Sequence, residues 1–175
     1  MAAWSFLSLS VVGPKRAVGE FDRTALDLPV FSEYVTSRKG KKVSEVLFED
    51  MVVENPVRWG RWWCSRYLLQ IKDHDEVLSV IRVASENHPL LCFQLDVDTE
   101  HEDFQSFFLR RGRVRSVDFD ASSARKEAED ELSRGDEDVL DWETDEPVVE
   151  RLQEQMEQYW RSPILQCLAA QGVRK

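Results

Sequence analysis

Two stretches of the chain alternate between apolar and polar residues, the pattern of a strand with one buried face. The first covers residues 4–12, where apolar residues alternate with Ser8 and Ser10. The second covers residues 91–97. Its polar side and the residue after it carry Cys92, Gln94, Asp96 and Asp98. We expect each strand to turn its apolar side toward a core and its polar side toward solvent.

Apolar residues three and four positions apart predict two helices in the first hundred residues. One follows Gly13-Pro14 and extends to about Thr24. The other begins at Asp73, which forms a capping box with Glu76. It ends near Asn87, because a residue that precedes a proline disfavours helical backbone and Pro89 follows His88.

Three further strands are predicted. Val43 to Val53 is one, ended by Asn55-Pro56. Tyr67 to Ile71 is another, preceded by the tryptophan-rich segment Trp59-Gly60-Arg61-Trp62-Trp63. A last strand carries an alternating row of arginines, Arg111, Arg113 and Arg115. If it pairs with strand 91–97, these arginines oppose Asp96 and Asp98 and balance charge within the sheet.

The order of elements is strand, helix, strand, strand, helix, strand, strand. This order predicts an α+β fold with a ferredoxin-like antiparallel sheet, helices on one face and an added edge strand. We assign residues 1–117 to this ferredoxin-like domain. Residues 118–175 form an acidic segment and C-terminal helices packed on or beside it.

The C-terminal segment has helical periodicity. One helix is predicted from Ser122 to Ser133. A last helix is capped by Thr144 or Asp145, has Pro147 in its first turn and is interrupted at Pro163. Its apolar stripe consists of Val149, Leu152, Met156 and Tyr159.

Several short motifs resemble the YubB-type ferredoxin-like domain of phage and plasmid proteins. They are the opening strand that ends in Gly13-Pro14, the segment Trp59-Gly60-Arg61-Trp62-Trp63, the helix running into His88-Pro89-Leu90, Glu102-Asp103-Phe104, and Arg111-Gly112. The resemblance covers roughly residues 4 to 117. It implies a protein from a mobile genetic element, and it brings no catalytic residues with it.

Negative charge is concentrated in one segment. The chain has 33 acidic and 23 basic residues, a net charge of -10. Residues 116–150 alone hold 14 acids and 3 bases, a net of -11, so the remainder is close to neutral. A protein this acidic is repelled by nucleic acid and by anionic membranes unless its charge is unevenly distributed. No apolar run approaches the ~18 residues of a membrane span, and no basic region of a secretory signal precedes Phe6. Since the three cysteines are far apart and odd in number, we expect reduced thiols in a cytoplasmic protein with no membrane partner.

The sequence contains no convincing catalytic motif. His74, His88 and His101 lack partners at zinc spacing, and Cys92 is expected to be a buried thiol rather than a nucleophile. A calcium loop starting at Asp96 fails, because His101 stands where glycine is needed and Phe107 where glutamate is needed. We therefore predict a protein that is not an enzyme and has no metal or cofactor.

The acidic segment suggests a contact function. Closely spaced carboxylates resemble a run of phosphates and can occupy a basic nucleic-acid channel. We therefore predict a non-enzymatic binding protein of a mobile element, an inhibitor of a host nucleic-acid-targeting complex such as a CRISPR effector. The predicted partner-binding residues are Asp130, Glu131, Asp136, Glu137, Asp138, Asp141, Glu143, Asp145 and Glu146. The plainer interpretation is a solvated face or linker that aids solubility.

An alternative function is single-stranded nucleic-acid binding by an aromatic face of the sheet. Its candidate residues are Arg58, Arg61, Trp62 and Arg66. The tryptophans are better explained as core residues, because no basic face surrounds them. The apolar stripe of the last helix also allows a homodimer.

Overall fold

The computed structural model describes residues 5–24, 51–71, 74–99, 103–132 and 141–171. The elements in chain order are β1 (Ser5–Gly13), α1 (Lys15–Thr24), β2 (Met51–Trp59), β3 (Trp62–Ile71), α2 (His74–Asn87), β4 (Cys92–Thr99), β5 (Asp103–Arg110), β6 (Arg113–Phe119), α3 (Ala121–Leu132), α4 (Asp141–Tyr159) and α5 (Arg161–Gln171). None of the described helices is long and apolar enough to cross a bilayer.

The strands form one antiparallel sheet in the order β2-β3-β1-β4-β5-β6. The first four strands and the helices between them have the ferredoxin-like arrangement, so the predicted α+β fold is confirmed. Two strands extend the sheet beyond β4, whereas the sequence predicted one. The phenylalanines that the sequence placed before the last strand form a strand of their own, β5.

One face of the sheet carries the main core, which we call the first face. Helices α1 and α2 pack there through apolar stripes at helical spacing. The fully buried side chains of this cluster include Leu9, Phe21, Ile81, Phe93 and Leu95. The ring of Phe21 contacts Phe93 edge-on, with centroids 5.3 Å apart. This is the packing that the alternating strands predicted.

The opposite face, called the second face, is covered in part by the C-terminal helices. Trp160, Ile164 and Leu168 pack over the ends of β1, β3 and β4, and Leu152 and Met156 pack against Phe104 of β5. The polar side of β4 is therefore buried, with Gln94 at 2% exposure and Asp98 at 3%. The prediction of a solvent-facing polar side for this strand was wrong, because helices from outside the ferredoxin-like order cover it.

The arginine row lies elsewhere than predicted. Arg113 and Arg115 are on β6, which pairs with β5 and not with β4, while Arg111 lies in the turn before it. Asp96 and Asp98 face Ser106 and Phe104 across the β4–β5 pair. The predicted balance of arginines against these aspartates is wrong, because β5 lies between the two strands.

Pro56 lies within a strand instead of ending one. Strand β2 continues through Asn55-Pro56, where the register with β3 shifts between Glu54 and Val57. A proline is tolerated at such an irregularity of an edge strand. The predicted start of this strand, residues 43–50, lies outside the described residues, as does the helix cap Asp73.

The C-terminal helices also differ from the prediction. Helix α3 is confirmed within one or two residues, but α4 begins at Asp141, so Pro147 lies inside the helix. The helical segment is interrupted at Trp160, between α4 and α5, and not at Pro163. Pro163 lies in the first turn of α5, where proline is tolerated. As a result Trp160 is buried, whereas Tyr159 is 50% exposed.

Candidate functional site

A chain of buried polar groups fixes the C-terminal helices to the second face. The Trp160 indole donates from Nε1 to Ser106 Oγ over 3.0 Å, and Ser106 donates in turn to Asp96. Gln94 Nε2 donates to Asp96 Oδ2 over 2.9 Å and to the Met156 carbonyl over 2.8 Å. The helices are thus held in one register by directional bonds as well as by apolar contact.

The charge state of this network depends on Asp96. Burial raises the pKa of Asp96 from 3.8 to about 6, although hydrogen bonds from Ser106 and Gln94 and the nearby Arg66 oppose the shift. Glu157, a second carboxylate near the site, raises the pKa further. A carboxyl group with this pKa is mostly ionised at neutral pH and becomes protonated in mild acid.

Helix α4 carries a row of carboxylates on the side opposite its buried residues. Val148, Leu152 and Met156 are buried against the second face. Glu150, Glu154 and Glu157 are exposed, and their spacing of four and three residues places them together on another side of the helix. We call these three residues the glutamate row. The sequence prediction missed them, although the same spacing rule that found the apolar stripe also picks them out.

The predicted acidic residues are only partly located. Asp130 is exposed on α3, and Glu131 belongs to the same helix. Asp141, Glu143, Asp145 and Glu146 belong to the first two turns of α4. There the helix dipole favours negative charge. Asp136, Glu137 and Asp138 lie outside the described residues. Since α3 and α4 are helices in contact with each other, these parts of the acidic segment are not a linker.

Two apolar side chains of the second face, beside α4, are partly exposed to solvent. Phe6 of β1 is 41% exposed and Leu68 of β3 is 36% exposed, and the half-buried Ser8 pairs with Leu68 two residues along the strand from Phe6. We call these three residues the open patch. Glu157 borders the same face, since its Oε1 lies 2.7 Å from Arg66 Nη2. Apolar side chains next to charged ones are typical of a protein interface.

The residues of the alternative nucleic-acid face do not all lie on one side of the sheet. In the sheet register Arg58 pairs with Trp63 on the first face, whereas Trp62 and Arg66 belong to the second face. Arg61 lies in the hairpin turn with its guanidinium 4.8 Å from the Trp62 ring centroid. Trp62 packs against the second-face cluster and Trp63 against the first-face core. The described tryptophans thus contribute to both cores, and a shared stacking surface stays a prediction.

The cysteine and histidine side chains that the sequence singled out are separated. Cys92 is fully buried on the second face, and burial raises its pKa to about 12, so the thiol stays protonated at neutral pH. His88 instead contacts the ring of Phe21, a first-face residue. His101 lies outside the described residues. Within the described ranges, no three His, Cys, Asp or Glu side chains come together in a way that would hold a metal ion.

In comparisons with known proteins, no family model, curated protein or solved structure matches this chain.

Proposed function

We propose that this chain is a non-enzymatic binding protein whose acidic C-terminal helices occupy a basic nucleic-acid channel of a partner protein. The observation that carries the proposal is the glutamate row. Glu150, Glu154 and Glu157 are exposed on one side of a helix whose other side is buried in the fold, and of the three Glu157 also forms an ion pair within the chain, with Arg66. Because the helical backbone that carries the row is already ordered, binding costs little backbone entropy.

The spacing of the row supports mimicry of a nucleic-acid backbone. Four residues of helix advance about 6 Å, and each DNA strand carries one phosphate per about 3.4 Å of axis. The two charge densities are therefore of the same order. The acids in the first turns of α4 extend the negative charge along the helix. A basic channel attracts such a surface electrostatically, and the attraction weakens as salt rises.

The open patch favours a protein partner. Phe6 and Leu68 offer apolar contact area beside Glu157. Protein interfaces combine buried aromatic anchors with a polar rim. A bare nucleic-acid strand is repelled by the net charge of -10.

The resemblance to a mobile-element domain supports a more specific partner. A mobile element benefits from blocking a host machine that binds nucleic acid, and an RNA-guided effector holds its nucleic acids in a positively charged channel. We therefore propose a host nucleic-acid-targeting defence complex, of the CRISPR effector type, as the partner. The protein acts in the host cell cytoplasm, where such complexes work.

The test is a titration of a panel of purified RNA-guided effector complexes with the intact protein. Binding of a labelled target DNA to each effector is followed by fluorescence anisotropy. We expect at least one effector to lose target binding, and the inhibition to weaken between about 50 and about 200 mM salt, as charge-driven contacts do. The double variant Glu150→Lys/Glu154→Lys should inhibit at least about tenfold less well, because both contacts become repulsive.

A matched control is Glu20→Lys/Glu86→Lys, which changes net charge equally at exposed positions of α1 and α2. These helices pack on the first face, so this variant should inhibit like the wild type. If no effector is inhibited, the defence-complex partner is excluded. Equal inhibition by the wild type and the glutamate-row variant would exclude the acidic surface as the contact.

A further inference from the structure

Three arginines share one corner of the second face. Arg110 ends β5 and pairs in register with Arg113 at the start of β6, so both side chains lie on the same side of the sheet. Arg115, two residues further along β6, pairs with Phe108 and lies on that side too. We call Arg110, Arg113 and Arg115 the arginine corner.

Positive charge in this corner is not neutralised. No carboxylate among the described residues forms an ion pair with Arg110, Arg113 or Arg115. Arg113 and Arg115 are exposed, and like charges directly opposite each other, such as Arg110 and Arg113, destabilise a sheet. The chain has 33 acids, yet none of those described pairs with these arginines. An anion from outside the chain would balance their charge.

One guanidinium group also lacks a hydrogen-bond acceptor. Arg110 Nε is buried and has no partner. A buried donor without an acceptor is costly, and such groups in native structures usually mark an absent water or ion. This donor belongs to the residue that lies directly opposite Arg113, so the arginine corner holds an N–H group whose hydrogen-bonding capacity the fold does not use.

A helix start adds to the positive potential. The Arg115 guanidinium lies 5.4 Å from the centroid of the Trp160 ring, and Trp160 directly precedes the first residue of α5. The first intrahelical bond runs from the Ile164 amide to the Trp160 carbonyl over 2.8 Å. The N-terminal end of a helix carries partial positive charge and amide groups that favour anions.

We propose that the arginine corner is a binding site for phosphate groups. Guanidinium groups match the oxygens of a phosphate as a planar fork, which a lysine cannot do. Arg113 and Arg115 stand about 7 Å apart along the strand, far enough to contact two neighbouring phosphates. The site uses different residues from the glutamate row and is independent of the function proposed above.

The phosphate has three possible sources, which a titration distinguishes. Isothermal titration calorimetry of the intact protein is carried out separately with inorganic pyrophosphate, a nucleoside triphosphate and a short single-stranded oligonucleotide. We expect binding of at least one of these probes, and the tightest of them identifies the source. Arg113→Ala should weaken that binding about tenfold, the loss of one charge-assisted contact.

The control is Arg16→Ala on α1, which removes the same charge from an exposed residue whose ion-pair partner is Glu20. It should bind like the wild type. Arg113→Lys keeps the charge but not the fork and should bind with intermediate affinity, and thermal unfolding confirms that each variant is folded. No binding of any probe, or equal binding by Arg113→Ala and the wild type, would overturn the proposal.

Discussion

The two faces of the sheet are built differently. The first face is covered by α1 and α2 and holds a contiguous apolar cluster whose polar contacts lie at its margin, where Ser65 and Tyr67 donate to Asp22. The second face is covered by helices that follow the ferredoxin-like order. It holds two separate apolar clusters with the polar chain around Asp96 between them.

The first face has the composition of a folding core, whereas the second face also contains polar and exposed groups. An apolar face stabilises the fold through buried area, and a charged group there needs hydrogen-bond partners, as Asp22 has. The second face contains an ionisable carboxyl, the open patch and an arginine corner, all features that a folding core does not need. The partner contacts proposed above are accordingly all on the second face or on the helices that cover it.

The largest effect is expected from Phe93→Ala on the first face. Phe93 is fully buried and contacts Phe21, so its removal should lower the free energy of unfolding by about 3–5 kcal/mol. Urea denaturation followed by circular dichroism measures the change. A loss below about 1 kcal/mol would mean that the first face is not the main core.

The second effect in size is a pH dependence that arises from Asp96. Its pKa in the folded protein is raised from 3.8 to about 6, so the native state binds a proton more tightly than the unfolded state does. The contribution of Asp96 to the unfolding free energy is therefore greatest in acid. It decreases as pH rises from 3.8 to about 6, by about 3 kcal/mol in total, since one pKa unit corresponds to about 1.36 kcal/mol.

Asp96→Asn isolates this contribution. Relative to Asp96→Asn, the wild type should lose unfolding free energy as pH rises from below 3.8 to above about 6. Urea denaturation at a series of pH values measures it. A constant difference across the window would show that Asp96 titrates normally.

A smaller loss is expected from Ser106→Ala. Ser106 is fully buried, accepts from Trp160 and donates to Asp96, so the substitution leaves a buried indole N–H without an acceptor. The cost should be about 1–3 kcal/mol. The double variant Ser106→Ala/Trp160→Phe has no indole N–H left without an acceptor. Its loss of unfolding free energy should therefore be smaller than the sum of the losses of the two single variants. Strict additivity would argue against the network.

The smallest effect on stability is expected from Glu150→Lys/Glu154→Lys. Both side chains are exposed, so the unfolding free energy should change by no more than about 0.5 kcal/mol for each substitution. Thermal unfolding measures it. A large loss would mean that the glutamate row stabilises the fold, and its effect on partner binding would then be indirect.

The sequence predicts the first face well and the second face poorly, for a physical reason. Alternation in β1 and β4 and helical spacing in α1 and α2 encode the first face locally. Burial of Gln94 and Asp96 depends on helices more than 40 residues away along the chain, so local polarity indicated solvent instead. The intervening strand β5 was missed as well, which put the arginine row in the wrong pairing.

The candidate site was predictable only in part. Composition located the acidic segment, and periodicity predicted the helix that carries it. Charge density does not point to the glutamate row, because the acids are closest in sequence within residues 130–146. The exposure of Phe6 and Leu68 was not predictable, because it depends on where α4 and α5 end on the sheet.

The most direct test of the central proposal asks whether an inhibited effector can hold this protein and its target DNA at the same time. Native mass spectrometry of the effector, the protein and the target DNA gives the answer, since each composition has a distinct mass. Occupation of the nucleic-acid channel by the acidic helices predicts effector–protein and effector–DNA complexes but no complex of all three. A stable complex of all three would contradict it, because the protein would then bind outside the channel.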